Sequence, residues 1–208
     1  WESQQGQPLD LIASGNWKGD FSLKDQSVPV LFEVNSSEDS IEFKFKNGSA
    51  TIQPESLRRL GDTLFLEFDG GNTLLKLVGN VDRIDGFLMD KSQSEYPIPF
   101  AAQNGNYQRF PNIRAKPIMN ITGEWALNIS IDADSTDTAS LQFVAKENSL
   151  EAVLVWANQT IQLDGTVQND VLYLSAYDGK TVYFFNAKID PKGKLKKGKL
   201  LLNNKSYY

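Results

Sequence analysis

The chain of 208 residues contains no cysteine and no histidine. Without cysteine it can form no disulfide, no thiolate nucleophile and no thiolate metal site. Without histidine it lacks the one side chain whose unperturbed pKa lies in the physiological range, and Ser–His–Asp and Cys–His catalytic systems are excluded. We therefore expect no catalytic residue, no metal site and no cofactor in this chain.

Basic residues are in the minority. Lysine and arginine total 21 against 26 aspartates and glutamates, a net charge of −5. Binding to nucleic acid requires clustered basic side chains, so nucleic acid is not expected as a partner. No apolar run is long enough to cross a membrane, and we expect the chain not to be membrane-spanning. It begins at Trp1 without a methionine or a signal segment, which indicates a piece of a longer protein.

Three short motifs occur twice, in the same order and about 108 residues apart, which indicates an internal repeat. The pairs are Gly15–Trp17 with Gly123–Trp125, Asp62–Leu66 with Asp170–Leu174, and Phe68–Gly70 with Tyr177–Gly179. Half of the eight prolines lie between the two copies, where they disfavour a sheet ladder. The predicted division is a first β repeat over residues 1–95, a proline-rich connector over 96–119 and a second β repeat over 120–208.

Both halves alternate apolar and polar residues with the period of a β-strand, and turn signals such as Asn47-Gly48 separate the runs. We expect an all-β fold of two tandem pseudo-repeats, each with seven or eight antiparallel strands. The Gly-x-Trp motif that opens each half resembles the lipocalin pattern, in which the tryptophan closes one end of a barrel. The sequence therefore predicts lipocalin-like up-and-down barrels, with β-sandwiches as the alternative.

Aromatic residues supply the candidate ligand-binding positions. Trp17, Trp125, Trp156 and Tyr183 could line a cavity, although a large aromatic side chain more often packs in a core. Aromatic residues on outward faces of the second half could bind sugars, or could pack between the repeats. Asp69 and Asp178, each before a glycine, could form a carboxylate pair, but aspartate at this position usually caps a turn.

Three segments resemble the region upstream of the redox domain in TlpA-like thioredoxin-family lipoproteins of Bacteroidota. They are Pro99–Phe110 in the connector, Leu163–Val167, and the aromatic-rich stretch from Asp170 through Ile189. The family pattern there is Pro-Phe-x-Ala, then Gly and Arg-Phe, and later Leu-Ser-x-Phe-Asp-Gly before an aromatic strand. The chain departs from that pattern after the last of these strands, at Lys197–Tyr208.

The resemblance implies a non-catalytic module that binds or positions a thiol–disulfide oxidoreductase of the bacterial cell envelope. The parent protein would be periplasmic or surface-exposed and lipid-anchored, with a thioredoxin-like domain or an envelope client protein as the partner. That redox domain would lie outside this fragment. Two alternatives stay open from the residues themselves: a lipocalin-like carrier of a small ligand, and a carbohydrate-binding or adhesion domain.

Overall fold

The computed structural model describes residues 12–24, 26–37, 40–91, 97–111, 121, 123–130, 134–145 and 150–208. These residues form β-strands and connecting turns, which confirms the all-β prediction. Residues 1–11 of the predicted first repeat, and residues 96 and 112–119 of the predicted connector, lie outside the described part of the chain. Within the described residues, no helix is long and apolar enough to cross a membrane.

The first half forms one antiparallel sheet with the order β4-β3-β2-β1-β9-β8-β7-β6-β5. Its strands are β1 (Gly15–Leu23), β2 (Gln26–Ser36), β3 (Ile41–Asn47), β4 (Ala50–Ile52), β5 (Ser56–Leu60), β6 (Thr63–Phe68), β7 (Thr73–Gly79), β8 (Arg83–Asp90) and β9 (Ile98–Asn104). This first sheet curls on itself, so that Phe45 of β3 comes within 6.3 Å of Phe68 of β6, ring centroid to ring centroid.

The second half forms a separate antiparallel sheet whose strands follow one another in chain order, β10 to β17. They are β10 (Gly123–Ser130), β11 (Thr136–Ala145), β12 (Leu150–Trp156), β13 (Gln159–Gln168), β14 (Val171–Tyr177), β15 (Val182–Ile189), β16 (Leu195–Leu202) and β17 (Lys205–Tyr207). The second sheet also curls, because the Ser130 amide donates to the Tyr208 carbonyl at 2.7 Å and joins the first strand to the residue after the last one.

The internal repeat is visible in matched local geometry. Gly15 and Gly123 open β1 and β10 with φ angles of 125° and 120°, a backbone region that favours glycine. Two residues later the indole nitrogen of Trp17 donates to the Ala13 carbonyl at 2.9 Å, and that of Trp125 donates to the Ile121 carbonyl at 3.3 Å. The two halves therefore begin in the same way, as the repeated Gly-x-Trp motif predicts.

The two sheets follow the same meander but open at different places. In the first sheet the unpaired edges are β4 and β5, which are consecutive in the chain and flank Pro54. At the equivalent position of the second sheet lies the continuous strand β13. A proline has no N–H to donate to a ladder, which accounts for the break at Pro54. The second sheet opens instead between its first and last strands, β10 and β17.

One boundary differs from the sequence prediction. The predicted connector over 96–119 contains β9, which pairs with both β1 and β8 and belongs to the first sheet. The prolines there suggested a connector, but Pro99 precedes Phe100, the first residue of β9 that pairs with β1. Its missing N–H therefore costs no hydrogen bond on that side of the strand.

The interior of the first sheet is packed with aromatic rings. Trp17, Phe32 and Phe43 form a stacked row with ring centroids 6.0 Å apart, and Phe21 lies 4.6 Å from Phe100. All five side chains are buried, and aromatic pairs at these separations stabilise a core beyond the area that they bury.

The outer face of the second sheet completes the core of the first. Tyr177, Val182, Phe184 and Leu201, from β14 to β16, are buried in the same apolar cluster as the aromatic rings of the first half. The ring of Tyr177 lies 5.0 Å from those of Phe21 and Phe45. The side-chain amide of Asn47 also hydrogen-bonds both the backbone N–H and the carbonyl of Tyr177. The two sheets therefore share buried surface.

Candidate functional site

Two of the four predicted ligand-binding residues are Trp17 and Trp125. Trp17 is completely buried among the rings of the first sheet. Trp125 is half-buried against the core of the second sheet, with its ring 6.4 Å from that of Phe143. Both indoles are hydrogen-bonded to carbonyls of the chain just before their strands.

The other two predicted residues, Trp156 and Tyr183, lie in the second sheet. The Trp156 indole donates to the Asp137 carboxylate at 2.9 Å, and its ring meets that of Tyr207 edge to face. The Tyr183 hydroxyl donates to the Asp178 carboxylate at 2.8 Å. Burial, followed by the charge of Asp178, raises the pKa of Tyr183 far above its ordinary value, so this hydroxyl stays protonated at neutral pH.

The turns that carry Asp69 and Asp178 do meet. Lys180 spans them, with its ammonium group 2.9 Å from the Asp69 carboxylate. The Asp178 carboxylate accepts the backbone N–H groups of Lys180 and Thr181, as an aspartate that caps a turn does. The two aspartates therefore serve to close and join turns, and Lys180 stands between them.

A cavity of about 860 Å³ lies in the second sheet. None of the four predicted aromatic residues is among the described residues that line it. Its lining is mainly aliphatic and comes from β10, β15 and β16, with single residues from the strands between. The apolar lining residues include Leu127, Ile129, Leu141, Leu154, Leu163, Phe185, Ala187, Leu195, Leu200 and Tyr207.

The cavity opens where the second sheet fails to close. Within the part of the chain that the structure describes, the ladder partner of β10 is β11 alone, and the short strand β17 pairs with Leu200–Leu202 of β16. We call the gap between β10 on one side and β16–β17 on the other the seam. Residues from both faces of β10 line the cavity, among them Ala126 and Leu127, as expected where a cavity reaches the free edge of a strand. The cavity thus extends from the inner face of the sheet to the outside at the seam.

Among the described residues that line the cavity, the charged ones are Lys196, Lys197 and Lys199 of β16. The Lys196 ammonium group lies 3.2 Å from the Asp190 carboxylate, and that of Lys199 lies 5.9 Å from the ring centre of Tyr208. The mouth is therefore cationic, although the whole chain is acidic.

Sequence reasoning identified the alternating pattern of β10 but missed the cavity. Leu127 and Ile129 occupy the positions of Gly19 and Phe21 in the first sheet, where the ring of Phe100 fills the interior against Gly19. Alternation assigns these residues to an inner face. It does not tell whether the space that they face is filled, because the filling side chain comes from a strand far away in the sequence.

Among the described residues, no group of three or more acidic side chains is placed to hold a metal ion. No protein-family model matches the chain, and no curated protein matches it. Among solved structures, the chain is similar to the crystal structure of a protein of unknown function from the DUF3598 family of Nostoc punctiforme PCC 73102. The two are 12% identical, with 93% of this chain and 94% of the other covered and a TM-score of 0.27. A similarity this low carries nothing about what the present chain binds.

Proposed function

We propose that this chain is a non-catalytic binding module, and that its binding element is the cavity at the seam of the second sheet. The observation that supports the proposal is the contrast between two copies of one unit. The first copy is filled with aromatic rings, whereas the second has an open cavity of about 860 Å³ with an apolar floor and lysines and tyrosines near its mouth. That volume lies within the range typical of sites for small apolar groups.

Burial of an apolar group in this cavity is favourable because it removes apolar surface of both partners from water. Each methylene group that becomes buried contributes about 0.8 kcal/mol. The floor residues Leu141, Leu154 and Leu163 are already almost fully buried, so most of this gain comes from the apolar surface of the bound group itself. The site therefore holds and shapes an apolar partner.

The proposal covers two of the functions that the sequence left open. A lipocalin-like carrier would bind a free ligand in the cavity, and a positioning module would bind an apolar part of another protein there. The predicted place beside the redox domain of an envelope oxidoreductase stays a prediction. Reading the gene beyond Tyr208 tests it, since a frame without Cys-x-x-Cys in the following domain contradicts it.

Binding of the neutral apolar dye Nile red tests the cavity. We expect its fluorescence to rise on mixing with the protein and this rise to fall several-fold in Ala187→Leu, because the buried side chain of Ala187 lines the cavity. Stability should fall less than in the control variant below, because the side chain of Ala187 borders the cavity.

The matched control is Ala102→Leu in the packed first sheet. There the larger side chain should destabilise the protein by about 1–3 kcal/mol and leave dye binding unchanged. If the unmodified chain binds no dye, or if Ala187→Leu binds the dye equally well, the cavity is not a binding site.

A further inference from the structure

The internal repeat gives the strands on each side of the seam counterparts in the first sheet. In the first sheet a row of directly paired residues crosses β6 to β9: Leu66, Leu75, Leu88 and Ile98. In the second sheet the equivalent row crosses β14 to β17: Leu174, Phe185, Leu200 and Tyr207. Both rows start at the last residue of a repeated motif, which is Leu66 in Asp62–Leu66 and Leu174 in Asp170–Leu174. Tyr207 therefore holds the place of Ile98, and Tyr208 holds the place of Pro99.

In the first sheet, β9 continues past Pro99. Residues Phe100–Asn104 pair with β1 on one side, from Phe21 to Trp17, and as far as Gln103 with β8 on the other. The ring of Phe100 fills the interior against Phe21 and over Gly19. This stretch of β9 closes the sheet between β1 and β8, and it supplies part of the core.

In the second sheet, Tyr208 lies at the position just before that stretch. The Ser130 amide donates to the Tyr208 carbonyl at 2.7 Å. In the first sheet, Phe100 of β9 pairs with Phe21 of β1. The bond between Ser130 and Tyr208 sets the same register in the second sheet, so a residue in the place of Phe100 would lie opposite Ile129, the counterpart of Phe21. From there back to Trp125, the edge of β10 has no strand beside it among the described residues.

We infer that the seam is the acceptor for an extended polypeptide strand of about five residues, the length over which β9 pairs with β1. The strand enters beside Tyr208, runs antiparallel to β10 opposite Trp125–Ile129, and projects apolar side chains at alternate positions into the cavity. This inference rests on the proposed function and names the class of partner that the cavity takes.

Backbone chemistry favours a strand over a small amphiphile. Because alternate N–H groups of a strand point to the same side, the direction of the Ser130 N–H places those of Asn128 and Ala126 toward the seam as well. A row of free N–H and C=O groups is satisfied by another strand, and an apolar small molecule would leave it unpaired. The alternating side chains of a strand would at the same time fill the cavity.

The sequence of β9 itself is the probe. A variant that carries Phe-Ala-Ala-Gln-Asn, the residues of Phe100–Asn104, after Tyr208 should melt at a higher temperature than the parent and should lose Nile red binding. Amide hydrogen exchange should slow at Ala126 and Asn128, whereas Leu127 and Ile129 should change little because their N–H groups point toward β11.

The matched control appends the same five residues in the order Ala-Phe-Gln-Ala-Asn, which turns the phenylalanine to the outer face. A shift of one position moves a side chain to the opposite face of a strand, so this variant should keep dye binding and the parent melting temperature. Equal behaviour of the two variants, or unchanged exchange at Ala126 and Asn128, would overturn the strand acceptor.

A second measurement separates this inference from the proposed function. The unmodified chain and the variant with the appended Phe-Ala-Ala-Gln-Asn are each mixed with Nile red and with a long-chain carboxylate. If the unmodified chain binds both ligands and the extended variant still binds the carboxylate, the cavity is a site for small amphiphiles and the strand inference is wrong. If the parent binds neither the dye nor the carboxylate, the proposed function itself is wrong.

Discussion

Arg109 shows at the scale of one residue how the two sheets are held together. It is only 6% exposed, and its guanidinium group donates to the Ser175 carbonyl and hydroxyl, at 3.1 and 3.2 Å, and to the Lys46 carbonyl. It also forms an ion pair of 3.0 Å with Asp164. Burial lowers the pKa of Arg109, but the group remains charged because arginine is protonated throughout the usual pH range. The Ser175 hydroxyl in turn donates to the Pro29 carbonyl of the first sheet at 2.6 Å.

We expect Arg109→Met to lower the free energy of unfolding by about 3–5 kcal/mol, because it removes one partner of a buried charge pair and several hydrogen bonds. The control is Arg83→Met, which breaks the exposed ion pair with Asp85 and should cost no more than about 1 kcal/mol. Urea unfolding measures both values. Similar small losses for the two variants would mean that Arg109 does not join the sheets.

At the scale of the strands, the two repeats differ in where each sheet opens and in how its turns are closed. The first sheet opens at Pro54, between two strands that are consecutive in the chain, and the shared core covers its interior. The second sheet opens between its first and last strands, β10 and β17.

The turn at Asp190 holds the start of the lysine-bearing strand β16. The Asp190 carboxylate accepts the N–H groups of Lys192 and Lys194, both at 2.9 Å, and pairs with Lys196.

These contacts, first the backbone hydrogen bond from Lys194, lower the pKa of Asp190 below its ordinary value. A carboxyl group with a lowered pKa in the folded state stabilises the protein above about pH 4, its unfolded value, and this contribution is lost as the pH falls through the folded value. We therefore expect Asp190→Asn to lower the urea midpoint at pH 6, and the midpoints of the two proteins to converge as the pH falls through the lowered pKa of Asp190. Asp62→Asn, at another exposed turn, controls for the loss of one charge, and a gap that stays constant with pH would contradict the assignment.

At the scale of the whole molecule, the two halves share one core instead of meeting as separate domains. Tyr177 belongs to the second sheet by sequence but is completely buried among Phe21, Phe45 and Phe68 of the first. Two units that depend on the same buried side chains should unfold together, because opening either one exposes the apolar surface of the other.

Variants that keep only Trp17 or only Trp156 as a fluorescent reporter should therefore share one urea midpoint. Adding Tyr177→Ala should lower stability by about 3–5 kcal/mol and separate the two reporters, with Trp17 responding at the lower urea concentration. The control is Tyr207→Ala, which removes the ring that meets Trp156. In this variant Trp17 should not respond at a lower urea concentration than Trp156. Different midpoints for the two reporters without Tyr177→Ala would show that the halves unfold independently.

The sequence by itself determined the class of fold and the repeat. Period-two alternation forces one face of each strand inward, and the Gly-x-Trp pair marks the same place in both copies because the positive φ angles of Gly15 and Gly123 favour glycine. The absence of cysteine and histidine likewise excluded whole classes of chemistry without any coordinates. These properties depend on residue type and local spacing, which the sequence contains in full.

Only the tertiary structure decided which interior is filled and which is open. The outward aromatic residues Tyr177 and Phe184 prove to pack between the repeats, and the strand at Ile98–Asn104 joins a sheet where its prolines indicated a connector. The cavity behind Leu127 and Ile129 lies at an edge of β10 that no described strand covers, whereas β9 covers the equivalent edge of β1. Covering such an edge requires a contact between distant parts of a chain. Such contacts are set by how curled sheets close and pack on each other, and spacing along the sequence does not record that.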